Sequence, residues 1–216
     1  MSKKRILFVR HGKTEWNGQS RFQGKTDVPL DGEGMEQASR LASRLEGWGP
    51  FQIVSSPLLR AWQTAETIAS RYGETVPQKM ECLSEMGFGA WEGRSILEIE
   101  SGDPEAFRLW KRNPFENIPP GGESFQNVSR RVGEFLESLL AREGDRFVVV
   151  SHGGIIRAAL VLLLGLPLGA VWRMKISNCS VTGVDAGKKG ASLIFLNDEI
   201  HILLPPEAAR SFPFSS

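Results

Sequence analysis

The sequence predicts an α/β protein whose mostly parallel sheet is covered on both faces by helices. Three observations carry this. Short, fully apolar runs end in polar turns at Ile6-Leu7-Phe8-Val9 and Phe147-Val148-Val149-Val150, as buried central strands do. Stretches with one apolar face at helical spacing follow such runs. Strand and helix alternate along the chain, which favours parallel pairing with helices packed on either side.

The elements follow in order. After the first strand, apolar residues recur at Met35, Ala38, Leu41, Ala42, Leu45 and Trp48, predicting a helix with these positions buried. Phe51–Val54 reads as a second strand. Pro57 suits the first turn of a helix that ends near Tyr72, before Gly73. Val76–Leu83 reads as a weaker extended segment. Residues 91–123 differ from the rest: short helical pieces at Ser95–Glu100 and Asp103–Arg112 are separated by Gly, Asp and Pro. An excursion of this length is commonly functional, and a lid-like insertion is expected. Phe125, Val128, Val132, Phe135, Leu136, Leu139 and Leu140 restore the helical period. The Phe147–Val150 strand, a helix from about Gly154, and two or three strands between Lys175 and Leu204 complete the pattern. His201 is read as a structural residue in one of these late strands. The tail from Pro205 is expected to be loose.

Size and charge narrow the function. A chain of 216 residues suits one domain, here spanning 1–216. With 26 basic and 25 acidic residues, net charge is +1, so neither nucleic acid nor an anionic membrane is an expected partner. The apolar stretch 153–172 contains Arg157 and is broken by Gly165 and Pro167; it reads as a buried helix, not a membrane span. The apolar run near the N-terminus stops after four residues, too short for a signal peptide. Cys82 and Cys179 form no CxxC pattern, which fits two reduced thiols and a cytoplasmic location. The sequence allows a homodimer.

In open α/β sheets, ligands bind outside the carboxyl ends of the strands. That rule selects Arg10-His11-Gly12, Ser55-Ser56-Pro57-Leu58-Leu59-Arg60 and Ser151-His152-Gly153, and predicts that two histidines and two arginines meet on one rim. A guanidinium matches phosphate oxygens bidentately and keeps its charge, so Arg10 and Arg60 suit a phosphoryl group. His11 and His152 share a setting of four apolar residues, one polar residue, then His-Gly. The glycine lets backbone approach a ligand closely. A zinc site built on these histidines would recruit Asp27 or Glu85, but the flanking arginines would repel the cation. No metal is expected. A leaving alkoxide needs an acid, and Glu85, in the apolar, Gly-rich Leu83–Gly89 stretch, is the candidate. Glu92 and Glu123 are assigned to turn or cap chemistry.

These residues resemble a known family. Arg10-His11-Gly12 with Thr14, Asn17 and Gln23-Gly24 is similar to the signature of the histidine phosphatase superfamily, also called phosphoglycerate-mutase-like. Ser56-Pro57-Leu58-Leu59-Arg60-Ala61 with Thr64-Ala65, Glu85–Gly93, Pro120–Ser124 and Ser151-His152-Gly153 resemble its other blocks in the right order. The resemblance implies a three-layer α/β/α fold with a mixed sheet, no cofactor, and a small phosphomonoester as substrate. It implies His11 as nucleophile and Arg10, Arg60 and His152 around the phosphoryl oxygens. Asn17, Gln23, Gly24 and Gly153 join the substrate-binding set, and Glu85 is the acid. The mutases carry Tyr where this chain has Phe88, Lys where it has Ile96, and paired arginines where it has Asn117-Ile118. The implied branch is therefore phosphatase, similar to α-ribazole-phosphate phosphatases and broad-specificity phosphomonoesterases, with phosphoglycerate mutase as the alternative. A non-catalytic phospho-ligand module would be expected to lack a catalytic group, yet His11, Glu85 and both arginines are present.

Overall fold

The structure, a computed structural model, describes residues 3–50, 52–73, 75–205 and 208–209. In chain order the elements are β1 (Lys4–Arg10), α1 (Glu15–Gly18), α2 (Gly32–Leu45), β2 (Gln52–Ser55), α3 (Leu59–Ala69), β3 (Gln78–Lys79), α4 (Ile96–Gly102), α5 (Pro104–Arg112), α6 (Phe125–Ala141), β4 (Arg146–Ser151), α7 (Gly153–Leu164), β5 (Val181–Gly187), β6 (Gly190–Asp198) and α8 (Ile200–Leu203). One sheet, ordered β3-β2-β4-β1-β5-β6, runs through the molecule. β3, β2, β4 and β1 are parallel, and β5 and β6 add antiparallel pairings.

The three layers follow from the two-residue period of the strands. Ile6 and Phe8 of β1, Val54 of β2 and Phe147 and Val149 of β4 pack with α6 and α7. The intervening Leu7, Val9, Ile53, Val148 and Val150 pack with α2 and α3 on the other face. Because both faces are covered, the central strands read as unbroken apolar runs rather than alternating ones.

Helix ends are set locally. Asp31 caps α2 by accepting from Gly34 N–H at 2.7 Å, and Ser124 caps α6 by accepting from Asn127 N–H at 3.2 Å; such caps contribute about 1 kcal/mol each. Gly165, with φ of 61°, closes α7 in the left-handed region. That break confines the apolar stretch to a 12-residue helix, and no helix among the described residues is long and apolar enough to cross a membrane.

Three expectations are corrected. His201 lies in α8, not in a strand: Asn197 takes a φ of 56° and the Asp198 carboxylate accepts from Ile200 N–H at 2.9 Å, so the chain leaves β6 and turns into a short helix. Met35 is 44% exposed because the buried face of α2 runs through Gly34, Gln37, Ala38, Leu41 and Leu45. The extended segment from Val76 contracts to the two-residue β3 followed by a 3-10 turn at Glu81–Leu83. Phe51, assigned to β2, lies outside the described residues, as does most of the tail beyond Pro205; Ala209 is buried.

Candidate active site

Strand register brings the site together. Arg10 of β1 pairs with Ser151 of β4, and His11 N–H donates to Ser151 O at 2.9 Å. His11 and His152 are therefore the next residues on adjacent parallel strands, with ring centroids 5.2 Å apart. Ser55 pairs with Val150, so Ser56 leaves the sheet beside them. α3 then carries Arg60 onto the same rim.

An open cleft of about 320 Å³ lies above these strand ends, at the lower end of the range usual for small-molecule sites. Arg10, His11, Asn17, Gln23, Gly24, Arg60 and Glu85 line it. His152 is fully buried against His11 and Ser56, beneath this lining. Gly153 opens α7, where a Cβ would lie 3.1 Å from an Arg157 terminal nitrogen and 3.7 Å from Arg10 Nε. Ser20, Arg21, Phe22, Phe88 and Ile96 also line the cleft. Of these, Phe88 and Ile96 were singled out in the sequence, whereas Ser20, Arg21 and Phe22 carry no local signal. Asn117 is turned inward, donating to Leu109 O and Asn113 O.

Each polar group is anchored on one side and free on the other. Arg10 donates from Nη1 to Ile176 O at 2.7 Å, and Arg60 from its terminal nitrogens to Thr26 O and Gly24 O at 2.9 and 2.8 Å. The Nε of each is buried without a partner. Burial draws both guanidinium pKa values down to about 10, against the opposing pull of Glu85, and leaves both charged at neutral pH. A half-buried and a fully buried cation with unused donors form an anion site, their desolvation only partly offset by Glu85.

His11 is set up as a neutral base. Its Nδ1 is 2.7 Å from Gly12 O; a carbonyl only accepts, so Nδ1 carries the proton and Nε2 bears the lone pair. Burial, and then Arg60 and Arg10, hold the ring well below its ordinary pKa of 6.5. The same forces keep His152 neutral.

Surrounding residues fix this arrangement. Gly12 N–H donates to Thr64 Oγ1, which donates in turn to Arg60 O. Thr14 and Asn17 form a capping box at α1, leaving the Asn17 amide at the cleft. Gly24 takes a φ of 53°, and a Cβ there would collide with the Glu92 carboxylate. Glu92 accepts from the backbone of Lys25, Thr26 and Phe88 and from the Thr26 hydroxyl, so its role is the turn chemistry assigned from sequence. Asp27 accepts from Leu59 N–H at the start of α3.

Glu85 is held by Met86 N–H at 2.9 Å and Gly154 N–H at 3.2 Å. A Cβ on Gly154 would strike this carboxylate, so that glycine admits it. The turn carrying Glu85 is fixed by Arg131, which donates to Cys82 O and Ser84 O and forms a two-point ion pair with Glu123 at 2.9 and 3.0 Å. Arg131 sits on α6, far away in sequence and with no motif to mark it. Among the described residues, no group of three or more His, Cys, Asp or Glu side chains is placed to hold a metal ion.

Known proteins share this architecture. The chain is 36% identical over 181 residues to a protein of Escherichia coli O1:K1 / APEC named "Probable phosphoglycerate mutase GpmB", covering 83% of this chain and 84% of that one. A mycobacterial glucosyl-3-phosphoglycerate phosphatase solved with VO3 superposes with a TM-score of 0.82 at 34% identity, covering 90% of this chain and 99% of that chain. The alpha-ribazole phosphatase from Shigella flexneri does so with a TM-score of 0.82 at 29% identity, covering 90% and 96%. The family model of the histidine phosphatase superfamily, branch 1, matches residues 6–199. With the match spanning every strand of the sheet and all three strand ends at the cleft, this chain belongs to the histidine phosphatase superfamily, branch 1.

Proposed function

We propose that the protein is a metal-independent phosphomonoester hydrolase acting on a small phosphorylated metabolite through a phosphohistidine at His11. The observation that carries this reading is the state of His11: neutral, with Nδ1–H committed to Gly12 O and Nε2 free at a cleft lined by Arg10 and Arg60. Nε2 attacks phosphorus in line, and the P–O bond to the leaving group breaks. The unused nitrogens of Arg10 and Arg60, with His152, stabilise the equatorial oxygens as charge shifts. The Asn17 amide, Gln23, the Gly24 backbone and the Gly153 N–H add polar contacts. Glu85 gives its proton to the leaving oxygen. It then takes one from the water that breaks the P–N bond, restoring neutral His11 and releasing inorganic phosphate.

Hydrolysis is favoured over mutase transfer by Phe88 and Ile96. Both line the cleft, and a second anionic group against them would meet apolar surface, while the neighbouring Arg21 is already engaged by Gly93 O and Glu98. The substrate class follows the solved relatives: a phosphomonoester of a nucleoside-like or sugar-like molecule, α-ribazole phosphate among them. The test is a panel of such esters assayed in chelator with vanadate as inhibitor, in which glucosyl-3-phosphoglycerate, whose carboxylate is a second anionic group, should turn over more slowly than esters without one. Free phosphate and an acid-labile, base-stable phosphoprotein on rapid quenching are expected. Activity that vanishes in chelator and returns with zinc or magnesium would refute metal independence. Turnover of 3-phosphoglycerate with 2,3-bisphosphoglycerate to 2-phosphoglycerate as fast as phosphate release would move the protein to the mutase reading.

The chain is further read as one domain, with residues 91–123 forming a lid over the site. Unpaired Cys82 and Cys179 suit the reducing cytoplasm. A second copy fits β6, which is a sheet edge with Leu193, Ile194 and Leu196 each over a third exposed. Sedimentation should then show a dimer that Ile194→Glu converts to monomer; a monomeric wild-type protein would remove this reading.

A further inference from the structure

We propose that Ser56 is a positioning residue that holds His152 in its Nδ1–H tautomer, so that Nδ1 donates to the phosphoryl group during transfer. The inference rests on the phosphatase reading for its catalytic consequence, but its structural half stands on hydrogen bonding alone.

A neutral imidazole has one donor and one acceptor, and its partners decide which nitrogen is which. His152 Nε2 lies 2.8 Å from Ser56 Oγ, and Nδ1 is buried with no partner. Both residues are fully buried, so solvent does not substitute for either bond.

The serine settles the direction. Its hydroxyl oxygen already accepts from Leu58 N–H at 3.2 Å, and its backbone N–H donates to Val150 O at 3.0 Å. The side chain is thus fixed where β2 leaves the sheet. The hydroxyl has one proton to place, and among the described residues His152 Nε2 is the acceptor within reach. If Ser56 donates to Nε2, hydroxyl and ring nitrogen are both satisfied and the ring proton sits on Nδ1. In the opposite tautomer, Oγ accepts twice and its own proton is left buried without an acceptor, a costly arrangement.

The consequence falls on Nδ1, the one ring nitrogen left over, on a ring whose centroid lies 5.2 Å from that of His11, directly beneath the cleft lining. With the proton there, it presents a donor to an oxygen gaining charge. With the proton on Nε2, it would present a lone pair to an anion. Ser56 touches no reacting atom in this scheme and acts through His152 alone.

The test is the ring ¹⁵N spectrum of histidine-labelled, ligand-free enzyme near neutral pH, assigned with His152→Gln. His152 should show a protonated Nδ1 and an unprotonated Nε2. Adding vanadate should move the Nδ1–H proton downfield. In Ser56→Ala the Nε2–H form should gain population, and kcat should fall roughly 10- to 100-fold, the range of a lost hydrogen bond to a charged group, with KM changing less. Ser56→Thr, which keeps the hydroxyl, should recover most of the rate. A wild-type Nε2–H tautomer overturns the proposal, as does an unchanged tautomer in folded Ser56→Ala. A vanadate complex with an unmoved Nδ1–H removes the donation to phosphoryl. A wild-type enzyme with the expected tautomer but no phosphatase activity would defeat the functional reading and leave the Ser56–His152 assignment standing.

Discussion

The floor of the cleft and the neighbouring aromatic segment 91–112 solve opposite physical problems. At the floor and just beneath it, Arg10 Nε, Arg60 Nε, His152 Nδ1 and the Gln23 side-chain oxygen are buried without partners. In the aromatic segment, Trp91, Ile99 and Phe107 form a separate apolar cluster with Phe22, Phe88 and Trp110 packed against it. Phe107 and Trp110 stack at 5.9 Å, and Trp91 meets both rings edge-on. These rings are occupied in holding 91–112 together. The floor is thus stabilised by the sheet beneath it and keeps its polar valences for a ligand. The aromatic segment stabilises itself by burial. Changes on the floor should remove chemistry, and changes in the aromatic segment should remove stability.

The largest test of that contrast is His11→Ala. Turnover and the trapped phosphoprotein should both fall to background, while urea unfolding stays cooperative. A variant that keeps activity would end the floor assignment, and one that fails to fold would end the contrast. Glu85→Gln comes next, with kcat for alkyl phosphates lowered about 10²–10⁴-fold. Aryl phosphates with good leaving groups should lose less in the phosphorylation burst, and equal losses there would mean that Glu85 is not the proton donor.

In the aromatic segment, Trp91→Ala should cost about 3–5 kcal/mol in equilibrium unfolding, because a fully buried indole leaves a cavity. Its effect on kcat should be much smaller than that of Glu85→Gln. A variant of unchanged stability but lost turnover would make Trp91 a floor residue in disguise.

A last effect is shared by the whole molecule. His11, His152 and His201 are buried with pKa values below 6.5, that of His201 near 4 through burial and the neighbouring Arg44. Below pH 6.5 the unfolded chain takes up protons that the native state refuses. Stability therefore falls as pH falls from 6.5 toward 4, with His201 contributing up to about 1.4 kcal/mol per pH unit in that window and His11 and His152 acting in the same direction. Unfolding midpoints at pH 7, 6 and 5 measure this, and His201→Gln should flatten the curve without touching the floor. A midpoint that rises on acidification would reverse the sign assigned to these three groups.

Legible in the amino-acid chain alone were β1, β4, most of β2, most of the helices, and the meeting of Arg10, His11, Arg60 and His152 at one rim, with Glu85 added by the need for an acid. The reason is local: apolar runs closed by His-Gly mark buried strands that end at a ligand, and ligand sites of such sheets lie at those ends. The sequence could not show that Met35 turns outward, because a 3.6-residue period leaves the border of a buried face undecided by one position. Nor could it place His201 in a helix, since that turn depends on Asn197 and Asp198 at the end of β6. The groups that support the site are set by contacts between distant parts of the chain. Ser56 reaches His152 across 96 positions, and Arg131 reaches the Glu85 turn from α6 across 46 to 49. Hydrogen bonds between residues so far apart leave no periodicity in the chain. They exist only once parallel pairing has set β2, β4 and β1 side by side and packing has brought α6 against the turn beneath them.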